Sequence, residues 1–322
     1  MNNFINFLLC AIPVGITFLY GALGEIIVEK AGHLNLGIPG IMCMGGAGGC
    51  LALQAMYGKG IHPILVVVLA ILASFITGGL MGLLYSFLTV SLRANQNVTG
   101  LVITIFGVGL TNFIMNDVGW EHCRYALEYF RYPFNKEGSA WIYCGCMVYL
   151  AILIALATSF ILTRTRIGLN LRSVGENPAT ADAVGINVTR YKYVATCIGC
   201  GIAALGGLFY IMDYQGSQEA YKSIEPMGWL SVALVIFTLW RPNITILGAS
   251  IFGMLYIASS RLPALFPTFF DSLGVNGMAL KPLLEMLPYV VTILVLIVTS
   301  IRNKKENQPP ASLGLPYFRE ER

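Results

Sequence analysis

Charged side chains are scarce in this chain of 322 residues. Asp, Glu, Lys and Arg make up 11% of the sequence, hydrophobic residues make up 56%, and the mean hydropathy is +0.71. No charged side chain precedes Glu25. This composition excludes a water-soluble domain of ordinary type and indicates an integral membrane protein.

The sequence motifs of several enzyme classes are also missing. Gly58-Lys59 lacks the first glycine of a P-loop, and no GxSxG nucleophile elbow occurs. The three histidines stand apart, without a carboxylate partner at metal spacing. Among the eight cysteines, Cys197 and Cys200 have redox spacing but no second pair, so we interpret them as small apolar residues. We therefore expect no catalytic site, no metal and no cofactor.

Long apolar runs are abundant instead. The first, 4–23, is long enough to cross a bilayer as a helix, and it lacks the basic start of a cleavable signal. Further runs with few or no charges cover about 35–56, 62–90, 97–115, 140–163, 193–212, 226–240, 243–258 and 284–301. Continuous runs are typical of membrane helices, not of barrel strands. The predicted fold is all-α, a polytopic helical bundle with about eight to ten transmembrane helices, of which 226–240 is short for a crossing.

The distribution of lysine and arginine predicts the orientation of this bundle. If the basic loop 164–192 is cytoplasmic, thirteen of the twenty Lys and Arg residues fall on the inner side. The N-terminus then lies outside, the C-terminus lies in the cytoplasm, and 116–140 forms an outer loop. We expect one transmembrane domain, 1–301, followed by a mobile cytoplasmic tail, 302–322. The net charge of +4 thus reflects orientation in a lipid membrane, and we expect no nucleic-acid polymer as partner.

The loop 164–192 contains a short polar segment, GENPATADAVGINV, at 175–188. Asn177 can cap a helix, Pro178 suits its first position, and Gly185 can take the left-handed conformation that ends it. A helix of about two turns is marginal in water on its own. The segment therefore predicts a rigid helix that packs against something else.

Uncharged polar residues at membrane depth are the candidates for a solute path. The residues selected are Asn35, Asn97, Thr99, Thr104, Asn112 and Ser231. Such groups are costly in hydrocarbon, so they should face the bundle interior or a water-filled path. A path of amides and hydroxyls suits a small neutral polar solute better than an ion. The alternative interpretation is hydrogen bonding between helices.

Three segments together resemble a known family. They are EKAGHLNLGIPGIM at 29–42, GENPATADAVGINV at 175–188 and GWLSVALVIFTLWRP at 228–242. They are similar to the permease subunits of bacterial ABC importers for simple sugars, branched-chain amino acids and nucleosides. The first segment looks most like the nucleoside-type branch, although His33 and Pro39 depart from its pattern. The resemblance covers roughly residues 20 to 255.

The resemblance implies a multi-pass protein of the bacterial cytoplasmic (inner) membrane that imports a solute, most readily a nucleoside. A cytoplasmic coupling helix would contact the ATPase through Glu176, Asn177, Pro178, Ala181, Asp182, Gly185 and Ile186. The implied partners are ABC ATPase subunits, a second permease subunit that is identical or related, and an extracytoplasmic solute-binding protein. ATP would be hydrolysed on a separate chain. An ion-coupled secondary transporter, or the same role for a simple sugar or branched-chain amino acid, remains the alternative.

Overall fold

The computed structural model describes residues 2–131, 145–265, 283–302 and 308–317. Within these ranges the chain forms helices and turns, with no strand. The helices are α1 (Asn2–Lys30), α2 (Ile38–Met56), α3 (Pro63–Ser86), α4 (Gln96–Asp117), α5 (Glu121–Arg124), α6 (Leu127–Arg131), α7 (Cys146–Arg164), α8 (Arg166–Glu176), α9 (Pro178–Ala183), α10 (Val188–Leu208), α11 (Ile224–Phe237), α12 (Pro242–Leu265) and α13 (Leu287–Arg302). A π-helical turn extends α3 over Phe87–Ser91, another extends α10 over Phe209–Gln215, and a 3₁₀ helix covers Gln218–Ser223.

Seven helices in these ranges are long and apolar enough to cross a membrane. They are Ala11–Lys30, Ile38–Met56, Pro63–Ser91, Gln96–Asp117, Cys146–Arg164, Val188–Gln215 and Pro242–Ser259, and a shorter apolar helix covers Leu283–Val298. The predicted run 226–240 falls largely in α11, which has 14 residues. At 1.5 Å per residue α11 is about 21 Å long, less than a hydrocarbon core of about 30 Å. The all-α polytopic bundle is confirmed, and these helices meet the lower end of the expected number.

Helices α1, α2 and α10 form the centre of the bundle. In the most apolar part of each, 89%, 78% and 83% of the residues are buried. A Cβ added to Gly45 of α2 would lie 2.5 Å from Cα of Ala204 in α10. One added to Gly207 of α10 would lie 2.8 Å from the carbonyl carbon of Met42. Small residues therefore bring these backbones together, as expected where lipid gives no hydrophobic drive for association.

The peripheral helices α3, α4 and α7 turn large apolar side chains outward. Leu80 is 57% exposed, Ile105 is 74% exposed and Phe160 is 62% exposed. A surface of this kind would promote aggregation in water. In a membrane this apolar surface lies against apolar lipid tails, so the exposed side chains agree with the membrane location.

The connections between helices gather at two ends of the bundle. The α9 end contains α8, α9 and the beginnings of α4 and α10; there Gln96 Nε2 donates to the Leu315 carbonyl at 3.4 Å. The distal end contains α5, α6, the 3₁₀ helix and the far ends of α2 and α4; there Tyr125 OH donates to the Leu53 carbonyl at 3.2 Å. The segments predicted to be cytoplasmic and outer thus fall at opposite ends. Residues 132–140 of the predicted outer loop lie outside the described residues.

Residues 308–317, which we call the tail segment, pack against the α9 end. The N and Oγ atoms of Ser312 donate to the Gly175 carbonyl at 3.0 and 2.5 Å. Tyr317 OH donates to Asp182 Oδ2 at 3.0 Å. The donors of this segment thus find acceptors on α8 and α9, and the mobility expected for 302–322 stays a prediction. The remainder of 303–322 lies outside the described residues.

Candidate functional site

The α9 helix is fixed at both ends by its own sequence. The Asn177 side chain accepts a hydrogen bond from Thr180 N at 3.0 Å, and Pro178 occupies the first helical position. Gly185 has φ of +87°, the left-handed conformation that closes helices. The bond from Ile186 N to the Ala181 carbonyl, at 3.0 Å, completes the closing turn. The helix therefore has the caps that the sequence predicted.

One face of α9 is buried and the other is open. Ala181 is 2% exposed and packs with Val174 of α8 and Val188 of α10. On the other side Thr180 is exposed, and Val184, just after the helix, is 72% exposed. Because α9 has only six residues, this small apolar cluster is needed to hold it. The open face is available to a partner.

The tail segment ties α8 and α9 to the turn that follows α1. Ala311 N donates to Glu176 Oε2 at 3.3 Å, and Gly314 N donates to the Gly32 carbonyl at 3.4 Å. A Cβ added to Gly175 would lie 3.2 Å from Gly32 N. The tail segment thus contacts both the α8–α9 region and the end of α1.

The three segments that carry the family resemblance meet at this end. Gly175 lies against the turn after α1, and Trp240 Nε1 donates a hydrogen bond to Glu29 Oε2. Trp240 is 7% exposed and has φ of +56°, a conformation that bulky residues rarely adopt, so its surroundings must impose it. Sequence reasoning did not predict this contact. The available signal was that Glu29 and Trp240 both lie in the resembling segments.

Asn35, one of the predicted path residues, organises the buried turn between α1 and α2. Its Oδ1 accepts from Gly37 N at 2.9 Å, and its own N donates to Glu25 Oε1 at 3.2 Å. Its Nδ2 lies 3.4 Å from the Cys200 sulfur of α10. Asn35 therefore uses its polar groups inside the protein, where it shapes the turn.

His33 is buried in the same turn. Its Nδ1 lies 3.0 Å from Thr196 Oγ1, and its ring meets the Tyr85 ring edge to face at 6.0 Å. Burial, helped by the positive charge of Lys192, lowers the pKa of His33 well below its ordinary value. The imidazole is therefore neutral at pH 7, and it links α1 to α3 and α10.

The other predicted path residues do not converge on one cavity of the described chain. Thr104 Oγ1 donates to the Leu36 carbonyl at 2.8 Å, and Ser231 Oγ donates to the Met227 carbonyl at 2.9 Å. Thr99 is buried. Hydrogen bonding between helices, the alternative interpretation, fits Thr104 and Asn35, whose partners lie on other elements, whereas the 2.9 Å bond of Ser231 lies within α11.

Asn97 and Asn112 are both exposed, near opposite ends of α4. At 1.5 Å per residue they are about 22 Å apart along the helix. Asn112 lines a cavity of about 310 Å³ at the distal end, together with Thr111, Tyr221 and Glu225. This distal cavity offers the Asn112 amide to a solute, beside the Tyr221 side chain and the charged side chains of Lys222 and Glu225.

The described residues hold no group of three or more His, Cys, Asp or Glu side chains that could bind a metal ion. Cys197 and Cys200 are free thiols on α10. Cys200 is fully buried beside Asn35, where it acts as a packing residue.

Comparison with known proteins identifies relatives over nearly the whole chain. Residues 3–299 match the model of a family described as the permease component of the branched-chain amino acid transport system. A provisionally named glucose ABC transporter permease protein of Haloferax volcanii is 31% identical over 94% of both chains. The nucleoside ABC transporter permease protein of Lactococcus lactis is 28% identical over 90% of both chains. The guanosine ABC transporter permease protein of Bacillus subtilis is 29% identical over 94% of this chain and 92% of its own.

Proposed function

Because this chain belongs to the family of branched-chain amino acid transport system permease components, we propose that it forms part of the solute path of an ATP-driven nucleoside importer. As a permease subunit it moves a solute across the membrane and carries out no bond chemistry itself. ATP is hydrolysed on partner ATPase chains, and a second permease subunit, identical or related, completes the path. An extracytoplasmic binding protein delivers the solute.

The observation that carries this proposal is the capped α9 helix with one open face. A helix that transmits force must be rigid, and Asn177 and Gly185 fix its two ends. It must also have a free surface, which Thr180 and Val184 provide. The ATPase docks on this surface, and the tail segment passes movement of α9 on to the end of α1.

The orientation follows from the same role. With the ATPase at the α9 end, that end is cytoplasmic, and the distal end faces outward. Exposed basic residues on α8 and at the start of α10, such as Arg166, Arg172 and Arg190, support this orientation. The N-terminus is then outside and the C-terminus is in the cytoplasm.

The preference for a nucleoside rests on two relatives and on the distal cavity. Relatives from Lactococcus lactis and Bacillus subtilis are named for nucleosides and guanosine. Tyr221 and Asn112 line this cavity together, beside the charged Lys222 and Glu225. An aromatic ring beside hydrogen-bonding groups suits a flat base attached to a sugar. Glucose, named in the Haloferax volcanii relative, is the second solute to test.

The test combines partner identification with transport. The tagged full chain is extracted gently from its own membrane, and co-purifying proteins are identified by mass. Uptake of labelled uridine and labelled glucose is then measured in cells that carry the chain, Asn177→Ala or Asn177→Ser. Alanine removes a cap worth about 1 kcal/mol, so uptake should fall about fivefold, whereas serine keeps a capping oxygen and should retain uptake.

A co-purifying P-loop ATPase and uridine uptake that stops when ATP is depleted would support the proposal. Glucose uptake in place of uridine uptake would retain the permease role and change the solute. Uptake that follows an ion gradient without ATP would contradict the importer. Equal uptake by Asn177→Ala and the parent chain would contradict the role of α9.

A further inference from the structure

A cavity of about 590 Å³ opens at the α9 end, separate from the open face of α9. Its walls come from the end of α3, the beginning of α10, the closing turn of α9 and the tail segment. Among the described residues that line it, three are basic, Arg93, Arg190 and Lys192, and one is acidic, Asp182. Asp182 Oδ2 already accepts a hydrogen bond from Tyr317 OH. The described lining is thus predominantly basic.

Lys192 lies deep in this cavity and needs a counter-charge. The side chain is only 3% exposed. Across the described parts of the chain, no acid and no hydrogen-bond acceptor is paired with its ammonium. Burying an unpaired cation is costly, and an anion that reaches the ammonium offsets part of this cost. The cavity supplies that access.

The beginning of α10 adds a second anion-binding element to the same wall. Asn187 Oδ1 accepts from Arg190 N at 2.9 Å, which leaves the N–H groups of Val188 and Thr189 without an acceptor inside the helix. The helix dipole places partial positive charge at this point. Val188, Thr189 and Lys192 all line the cavity. The first turn of α10 and the Lys192 side chain therefore line one space, an arrangement suited to phosphate oxygens.

The cavity also borders the lipid-facing surface. Leu92, next to Arg93, is 60% exposed, and Val194 and Ile198, on the turns of α10 after Lys192, are 49% and 43% exposed. An acyl chain can lie along these side chains while a headgroup reaches inward. Basic residues at the membrane surface attract anionic lipids in the same way.

We propose that this cavity binds a phosphate-bearing anion, held by Lys192, Arg190 and the first N–H groups of α10. The phosphate belongs to the headgroup of an anionic lipid or to a free phosphate compound. Because Asp182, Gly185 and Ile186 form part of the wall, the bound anion also contacts the end of α9. The site does not depend on which solute the permease carries.

The test uses the purified full chain and two probes. Native mass spectrometry counts bound phosphatidylglycerol, with phosphatidylcholine as the lipid without net charge. Thermal unfolding with and without inorganic phosphate measures binding of the free anion. The variants are Lys192→Met, which keeps the length of the side chain, Lys192→Arg, which keeps its charge, and Arg166→Met, a control at the same end but outside the cavity.

Lys192→Met should weaken binding of the preferred probe about tenfold, the size expected for one charge-assisted hydrogen bond. Lys192→Arg and Arg166→Met should bind within about twofold of the parent chain. Should Lys192→Met fail to fold, Arg190→Gln at the exposed rim of the cavity should still weaken binding about threefold.

Binding of phosphatidylglycerol without a response to phosphate identifies a lipid site. A response to phosphate without binding of phosphatidylglycerol identifies a free-phosphate site. Binding of neither probe, or equal binding by Lys192→Met, Arg190→Gln and the parent chain, would overturn the proposal.

Discussion

At the scale of single residues, the bundle depends on the absence of side chains where α3 crosses α10. A Cβ built on Gly78 would lie 2.5 Å from the Cys200 carbonyl oxygen, and one on Gly82 would lie 2.8 Å from Cys200 Cβ. A Cβ built on the adjacent Gly79 would meet only the Cys197 carbonyl oxygen, at the ordinary contact distance of 3.6 Å. Of these two neighbouring glycines on α3, only Gly78 lies where a side chain would overlap α10.

This geometry predicts opposite outcomes for two adjacent substitutions. Gly78→Ala should destabilise the chain by about 1–3 kcal/mol, because the new methyl overlaps backbone atoms of α10 that cannot move away alone. Gly79→Ala should change the stability by less than about 1 kcal/mol, since its methyl finds ordinary contact distance. Thermal unfolding of the purified chain in one detergent compares the two. Equal losses would show that α3 does not approach α10 as the structure describes.

At the scale of elements, the tail segment adds long-range order to a helix that is too short to hold itself. Its donors reach the Gly175 carbonyl through Ser312 and the Gly32 carbonyl through Gly314. Its phenol, Tyr317, reaches Asp182. The tail segment therefore connects α8, α9 and the end of α1, three parts that are far apart along the chain.

Two truncated chains distinguish the contribution of the tail segment from that of the residues after it. A chain ending at residue 307 loses the tail segment, so the backbone amides of α8 and α9 should exchange with deuterium about tenfold faster, as expected for loss of stabilising contacts worth 1–2 kcal/mol. A chain ending at residue 317 keeps the segment and should exchange like the parent chain. Hydrogen exchange with mass spectrometry measures both. Unchanged protection of α8 and α9 in the shorter chain would contradict the structural role of the segment.

The contrast between α9 and the tail segment explains what the sequence could predict. The caps of α9 are local, so Asn177, Pro178 and Gly185 were sufficient to predict the helix and both of its ends. The tail segment contacts backbone carbonyls that carry no side-chain signature, and its polar, proline-bearing composition resembles that of a mobile tail. The candidate path residues were selected by residue type, but the sequence does not report which face of a helix they occupy. For that reason Thr104 and Ser231, selected for a path, bond inside the bundle.

At the scale of the whole molecule, polar segments divide between two ends and apolar side chains cover the middle. Val184 and Arg166 are exposed at the α9 end, and Lys59 is exposed at the distal end. Peripheral side chains such as Ile105 and Phe160 face outward between them. The division requires that the two ends contact different aqueous compartments, and the proposed function assigns the α9 end to the cytoplasm.

Labelling of introduced cysteines tests this assignment. Lys59→Cys should react with a membrane-impermeant maleimide in intact cells, whereas Val184→Cys and Arg166→Cys should react only after the membrane is permeabilised. The parent chain provides the background, which is subtracted. Cys43, Cys50, Cys123 and Cys200 are buried and out of reach of the reagent, whereas Cys146 and Cys197 are partly exposed and set this background. Arg166→Cys serves as a second probe of the α9 end, since a docked ATPase would cover Val184 but lies farther from the start of α8. Reaction of both α9-end cysteines in intact cells would place that end outside, and the ATPase could not then act through α9.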